Sequence, residues 1–591
     1  MVGICNSAPQ KVEPRARRGW RQVSPTSASF GRGRLPVSLL LVSIQALAAL
    51  PAVAWAQADP LGHADRADSL YRVFVSLDGE GHPLLPLSVL AGQQQIEVRA
   101  ASGLRVIGTG DGSVEFRVPS DQPTVVSGRN FKDGERRYYV AVGAAPGDDL
   151  NALRTLRQHW QGLGDKTRHF GIGATYALRG RALDTRRTVI CLEEGHRSQK
   201  AAAARALEIS AKHQIDAWVH VQLIQPPQAT LVARTPSGAE VHAADVIWLE
   251  ALPDAKGQPQ PIQVTGRRGG RPHTLTLPGR VYLTPEDKGR FAVVNEARIE
   301  KILTGVVAAE IYASAPLEAL KAQAVAARTD MLAKVGQRHR TDPFSICSEV
   351  HCQAYGGMKR ISPNVVKAVQ ATRGLVLTDP ARRGRLVDAF YCAVSGGHTE
   401  NNDNAWQMPA HPTLRGHADL QPGAPDLLAG VPDEAAVRAH LASPDRSYAA
   451  ASGKNKQALR WAVTRTRAAL KASLAQYGVP QDVRDMKVLR RGVSGRIIDL
   501  EVTMADRTKV VIHGELRIRR AFNKLRSSLF IAEPGKRDAS GVPESWSFTG
   551  AGYGHGVGLD QTGAMGRAAK GQSFSEITAH YYTGSKLEKL Y

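Results

Sequence analysis

Ile299, Ile302, Leu303, Val306 and Val307 recur at offsets of 0, 3, 4, 7 and 8, the spacing of one apolar helical face. Glu310 follows at offset 11, about 20° around the helix from Ile299 at roughly 100° per residue. A helix that buries this stripe therefore directs a carboxylate along it, whereas a surface glutamate sits opposite. An apolar setting holds the proton on a carboxyl more strongly than water does, as a general acid near neutral pH requires. The alternative is a helix that frays before Glu310 and leaves it at an exposed end. Pro316 suits the first turn of a second helix, whose stripe is Leu317, Leu320, Ala324, Ala327 and Met331. Lys321 and Arg328 are seven apart and stack at the border of that stripe. Two cations there can hold an acidic or N-acetylated glycan or tune the glutamate. They can also snorkel over a core edge with their heads in water.

The segments around these helices read as an α+β, multidomain chain. Residues 1–34 carry seven Lys/Arg against one acid, and an apolar run from Leu35 to Ala56 ends in Ala54-Trp55-Ala56. A basic start, an apolar middle and a small-x-small exit describe a signal peptide over residues 1–56, so an exported protein of the cell envelope or periplasm is expected. A retained N-terminal anchor is the alternative. Residues 57–135 form a β-rich module, with Ile96–Arg99 and Val114–Val118 alternating. Residues 136–228 read as β-α-β-β-α-β, a small α+β layer. Its opening, Tyr138-Tyr139-Val140-Ala141-Val142-Gly143, resembles a SPOR domain, a module that binds peptide-stripped glycan strands. A plain structural α+β domain is the alternative, and Cys191 on an apolar strand is a core residue in either case. Residues 229–591 carry the remaining motifs.

Charge narrows the partners. The 591 residues include 77 Lys+Arg and 54 Asp+Glu, a formal net charge of +23, and removing the leader leaves about +17. An exported chain rarely meets nucleic acid, and no long basic tract interleaved with aromatics follows the leader. Peptidoglycan carboxylates or lipid head groups suit this charge better. A high-GC genome that writes Arg onto solvated faces accounts for part of it. With 42% apolar residues, the chain is not a disordered polymer, and five cysteines are too few for a disulfide framework.

Two further segments are unsuited to a helix or an ordinary strand. Ser395-Gly396-Gly397-His398-Thr399-Glu400-Asn401 packs small residues beside a histidine and an asparagine, which suits a backbone pocket close to a ligand. Gly552-Tyr553-Gly554-His555-Gly556-Val557-Gly558-Leu559-Asp560-Gln561 sets four glycines in seven residues around one histidine, without the order of a phosphate loop. Cys347, His351 and Cys352 cluster, with His339 eight residues upstream of Cys347. These four can supply the N/S ligands of a tetrahedral zinc. A Cys347–Cys352 disulfide, a bridge from Cys392 to either, or free thiols are the alternatives.

Taken together, Val306–Glu310, Pro316–Thr329, His351–Gly357, Ser395–Asn401, Gly554–Gln561 with Gly563-Ala564, and His580–Gly584 resemble the stage II sporulation protein D (SpoIID)/LytB family, in order, over residues 275–591. The resemblance implies a SpoIID-type domain with a substrate cleft. It also implies a lytic transglycosylase that cuts between N-acetylmuramic acid and N-acetylglucosamine in peptide-stripped glycan strands. One carboxyl suffices: it protonates the glycosidic oxygen, then takes the proton of the muramic 6-hydroxyl as a 1,6-anhydro ring closes. Water is not the nucleophile, so the second carboxylate of a hydrolase is not needed. Glu310 matches the family's catalytic glutamate, and Lys321 and Arg328 match residues implicated in activity or substrate contact. Ser395, His398, Asn401, His555 and Gln561 fall in motifs expected to line the cleft. No cofactor is required for this catalysis, and zinc, which some relatives carry, is expected to be structural. Other members are amidase enhancers, which raise the activity of a cell-wall amidase without cutting. That makes an amidase the rival partner to the glycan strand. The family name does not imply sporulation here. The chain departs from the commoner pattern at Ile311-Tyr312, where Met-Pro is frequent, at Asp560, where a small polar residue is usual, and at Cys392.

Overall fold

The computed structural model describes Leu70, Tyr71 and residues 75–591, except 110–113, 179–180, 214, 216, 350–351, 383–384, 407 and 431. The segment read as a signal peptide, residues 1–56, lies outside the described residues. Among the described residues no helix is long and apolar enough to cross a membrane.

The fold is α+β. The alternating segments pair into two sheets. One has seven strands in the order Ile346–Cys347, Leu84–Gln93, Arg290–Arg298, Arg280–Glu286, Ile247–Ala251, Leu104–Gly108 and Val114–Val118. The other has six, in the order Glu240–Ala244, Gln228–Arg234, Thr124–Lys132, Gln95–Arg99, Ile262–Arg268 and Arg271–Leu277. Val106, Leu249, Val281 and Val293 from the first share one apolar core with Val98, Val126, Leu231 and Val264 from the second. This corrects the boundaries expected at residues 135 and 229. Strands before 135 pair directly with strands after 227, as in Val98 opposite Val264 and Val126 opposite Ala233. A handful of short strands cannot cover its own apolar face, so the two stretches complete each other.

Between them, residues 135–225 form the expected β-α-β-β-α-β unit, with an extra hairpin, Thr175–Leu178 and Arg181–Asp184, before the third strand. Its sheet runs in the order Trp218–Gln225, Glu135–Pro146, Arg187–His196, Thr167–Ile172. Helices α1 (Leu150–Gly162) and α2 (Gln199–His213) accompany a core of Val140, Trp160, Ile190 and Ile209. A separate cluster of Tyr139, Ala141, Val189 and Cys191 belongs to the same sheet. Strand alternation explains this split, because neighbouring residues point to opposite faces.

Strand Arg290–Arg298 runs straight into α3 (Ile299–Glu310), which is followed by α4 (Leu317–Ala333). All five residues of the α3 stripe are buried. Residues Trp461, Leu470, Ile497, Phe530 and Phe548 build a second core of their own, after which α5 (Gln561–Ala569) returns to the first through Ala564 and Met565.

Candidate active site

The backbone leaves the helix after Glu310, with Ile311 extended at φ −128° and ψ 154°. The carboxyl nevertheless stays inside. Its Oε1 accepts the Ala354 N–H at 2.5 Å, and the Tyr391 hydroxyl lies beside it. Burial raises its pKa above the ordinary carboxyl value. The Ala354 N–H, the Lys334 charge and the Tyr391 hydroxyl partly offset that rise, and Asp330 adds to it. The stripe reading of Glu310, rather than the frayed end, describes this helix.

Tyr391 is fixed from behind. Its hydroxyl donates to Gln353 Oε1, Gln353 Nε2 donates to Asp330 Oδ2 at 2.5 Å, and Lys334 Nζ donates to the same oxygen. Gln353, Asp330 and Lys334 are all buried. A buried polar chain of this kind restricts the positions its members can take, and it converges on Asp330 Oδ2, while Asp330 Oδ1 is left without a hydrogen-bond partner among the described residues. The Gln353–Ala354 step thus supplies both a direct donor to Glu310 and a brace for Tyr391.

Gln561, the first residue of α5, donates from Nε2 to the Glu310 carbonyl oxygen at 3.1 Å and to Gln323 Oε1 at 3.3 Å. It therefore holds the end of α3. His555 Nδ1 accepts the Val557 N–H at 3.0 Å, its ring lies beside the Tyr391 backbone, and it packs 4.7 Å from the Trp406 ring. Burial pushes its pKa down to about 3, with Arg496 and Arg519 adding to the effect, so the ring is neutral. Glu310, Tyr391, His555 and Gln561 form one connected group.

The other motif residues brace loops. Ser395 is fully buried; its N–H donates to Asp560 Oδ2 at 2.6 Å, and its Oγ accepts the Gly397 N–H at 3.2 Å. His398 is buried with Nδ1 2.7 Å from the Thr399 carbonyl, and Asn401 Oδ1 accepts the Gly416 N–H at 2.8 Å. Asp560, the departure noted above, caps α5 by accepting the Gly563 N–H at 2.8 Å. Burial, with the nearby Asp419 charge, pushes its carboxyl up to about 7. The glycine run is explained by a close approach. Gly558 has φ +70°, and a Cβ there would sit 2.1 Å from the Phe390 carbonyl oxygen, where Tyr391–Cys392 pairs with Leu559–Asp560.

The two α4 cations are engaged elsewhere. Lys321 Nζ donates to Glu318 Oε1 at 2.6 Å and lies 5.7 Å from the Phe574 ring. Arg328 is fully buried and grips Glu300 with two bonds, at 2.7 and 2.8 Å, while donating to the Leu375 carbonyl at 2.9 Å. Its guanidinium is thus turned into the core, onto Glu300 and the Leu375 carbonyl. The sequence reading passed over Tyr391, Gln353 and the buried Arg496, which donates to the carbonyls of Ser395 at 2.9 Å and Gly554 at 3.3 Å and so ties both motif loops together. Tyr391 stands four residues before Ser395 in an aromatic pair with Phe390, a signal that was available. Arg496 lies in a Gly/Ser/Arg turn that has no periodicity to mark it.

His339 Nε2 is 3.3 Å from Cys352 Sγ, and the ligand atoms of His339, Cys347 and Cys352 all lie within 4.8 Å of one another. Zinc bound at about 2.3 Å from sulfur and about 2.0 Å from nitrogen sets neighbouring ligands roughly 3.5 Å apart, so these donors fit it. Asp342 Oδ2 lies 2.8 Å from His339 Nδ1, the outer carboxylate that ligating histidines ordinarily have. His351 lies outside the described residues. Cys347 and Cys352 meet as hydrogen-bonded thiols, and Cys392 is a buried free thiol, so it bridges to neither.

Residues 287–378, which hold α3, Glu310, α4 and the metal-ligand cluster, match the stage II sporulation protein family SpoIID. Over these residues the chain is similar to the SpoIID family. Residues 400–558, from the end of the Ser395 loop to the glycine run, match a domain of unknown function, DUF8618. An uncharacterized protein of Brachyspira hyodysenteriae is 27% identical over 296 residues, 49% of this chain and 67% of that protein. The amidase enhancer of Bacillus subtilis is 29% identical over 303 residues, 48% of this chain but only 40% of its own length. Stage II sporulation protein D of Bacillus amyloliquefaciens is 26% identical over 310 residues, 49% of this chain and 74% of that protein. The SpoIID-matched residues therefore include the glutamate, its Ala354 donor and the cysteine cluster, whereas His555 and the glycine run lie beyond them.

Proposed function

We propose that the protein acts on the cell wall, and that its SpoIID half is a lytic transglycosylase for peptide-stripped peptidoglycan strands in the cell envelope. The inward carboxyl of Glu310, with its raised pKa, carries this reading. In the protonated state it donates to the oxygen linking N-acetylmuramic acid to N-acetylglucosamine, and the C1–O bond breaks. The resulting carboxylate takes the proton from the muramic 6-hydroxyl as that oxygen bonds to C1, which returns Glu310 to its acid form. Atoms balance without water, and one carboxyl serves both steps. Tyr391 and the Ala354 N–H hold the group in place, and the neutral His555 keeps a positive charge away from it. Mass spectrometry of purified protein incubated with peptide-stripped strands is expected to show 1,6-anhydro ends. Intact strands, or reducing ends that have taken up water, would overturn the reading. The name of the Bacillus subtilis relative favours a second one, a glycan-binding enhancer that raises the rate of an amidase without cutting strands.

We also propose that His339, Cys347 and Cys352, with His351, hold a structural zinc. The metal would tie the loop before Gln353–Ala354 and take no part in proton transfer. Purified protein is expected to contain about one zinc per chain, and Cys352→Ser to lose it and unfold at lower temperature. A metal-free protein whose thiol titration shows a Cys347–Cys352 disulfide would sink the proposal.

A further inference from the structure

A cavity of about 630 Å³ lies between the inserted sheet and the chain that follows α4. Its volume falls within the range of about 300–1,000 Å³ usual for small-ligand sites. Trp218 and His220 of the sheet line one side; Arg338, Arg340, Phe390 and Trp406 line the other. Glu310 is not part of these walls, so this is a neighbouring site. The two are neighbours: Trp406 packs 4.4 Å from Phe390 and 4.7 Å from His555, and Tyr391, next after Phe390, lies beside both His555 and Glu310.

The walls combine two chemistries. Trp218 and Trp406 are part-exposed indoles, flat apolar faces suited to the C–H face of a sugar ring. The cationic groups exceed what the local carboxylates neutralise. Asp388 is ion-paired with Arg187 and Asp342 with His339, whereas Arg340 donates to the Val221 carbonyl at 2.7 Å and meets His220 Nε2 at 3.0 Å. Arg338 is exposed, and among the described residues no carboxylate is ion-paired with it. A guanidinium beside stacked aromatic faces selects an anionic ring ligand.

We propose that this cavity binds the acidic, N-acetylated sugar units of a glycan strand whose scissile linkage lies at Glu310, with the indoles under the rings and Arg338 on a lactyl carboxylate. The inference rests on the function proposed above and adds to it a second site, built partly from the inserted module. The test uses full-length Glu310→Gln protein, which holds strands without cutting them, and purified peptide-stripped glycan in a co-sedimentation assay. Trp218→Ala and Arg338→Glu are each expected to weaken binding about tenfold, and Trp218→Phe to restore most of it. Binding by the Glu310→Gln protein is expected to fall when the muramic carboxyls are reduced to alcohols, and the same protein with Arg338→Glu added to be indifferent to that change. Unchanged binding in both Trp218→Ala and Arg338→Glu, with each variant folded by circular dichroism, overturns the proposal. Its failure is distinguishable from failure of the catalytic reading. If wild-type protein makes no anhydro ends but binding falls in Trp218→Ala, catalysis falls and the cavity stands. If anhydro ends form and binding ignores both substitutions, the cavity alone falls.

Discussion

Glu310→Gln is expected to lower the rate of anhydro-end formation on peptide-stripped glycan by about 10²–10⁴-fold, the usual contribution of a positioned acid–base group. The amide keeps the shape of the carboxyl, so the 2.5 Å contact with the Ala354 N–H can persist through the side-chain oxygen, and binding is expected to survive. The same group sets the pH dependence. Burial raises the Glu310 pKa, so the acid form persists to higher pH than for an exposed glutamate, and activity is expected to fall as pH rises through that elevated value. Stability follows the same direction. A carboxyl whose folded pKa exceeds its unfolded one stabilises the fold most below the unfolded value and loses that contribution as pH rises through the folded value. Glu310→Gln removes this slope, so the variant is expected to be more stable than wild type on the alkaline side. A pH–rate profile paired with denaturant melts at several pH values checks both. A variant that makes anhydro ends at the wild-type rate would assign the proton transfer to another group.

Arg328→Ala is expected to destabilise the fold by about 3–5 kcal/mol, the scale of removing one partner from a buried ion pair. The guanidinium is fully buried and satisfies both Glu300 oxygens, and the Tyr591 hydroxyl donates to one of these at 2.7 Å. Without Arg328 the Glu300 carboxylate is left in a site with few other donors. Arg328→Lys is expected to recover only part of the loss, because an ammonium cannot match the two-pronged geometry. Equilibrium urea unfolding of both variants measures this, alongside glycan affinity per folded molecule, which is expected to stay at the wild-type level. A variant with an unchanged melting curve and lost glycan affinity would return Arg328 to substrate contact.

The comparison of these two residues shows how far pattern reading reaches. Glu310 was legible because helical geometry is local: its angle relative to Ile299 follows from eleven residues of spacing, and burial of the stripe carries the carboxyl inward. The same arithmetic located Arg328 at the edge of a stripe but not what lay opposite. Its partner Glu300 is 28 positions away, and the Leu375 carbonyl 47, on elements whose approach no local period encodes. The β-rich stretch before residue 135 was read correctly as strands and wrongly as a unit, since alternation reports a buried face without naming the sheet that covers it. Ser395 and Asp560 were marked by their motifs, yet their bond to each other spans 165 positions and makes them braces of the site.

From the residues alone came the α+β class, the two helices with their inward carboxylate, the cysteine–histidine cluster and the glycine run, because each depends on spacing within a single turn, strand or loop. Only the tertiary structure decided that Tyr391 and Ala354 hold Glu310, that Arg328 belongs to the core, and that strands on either side of the inserted module share two sheets. Those outcomes depend on which distant surfaces exclude water together. Hydrogen bonds and ion pairs across such surfaces form wherever packing leaves a polar atom in need of a partner.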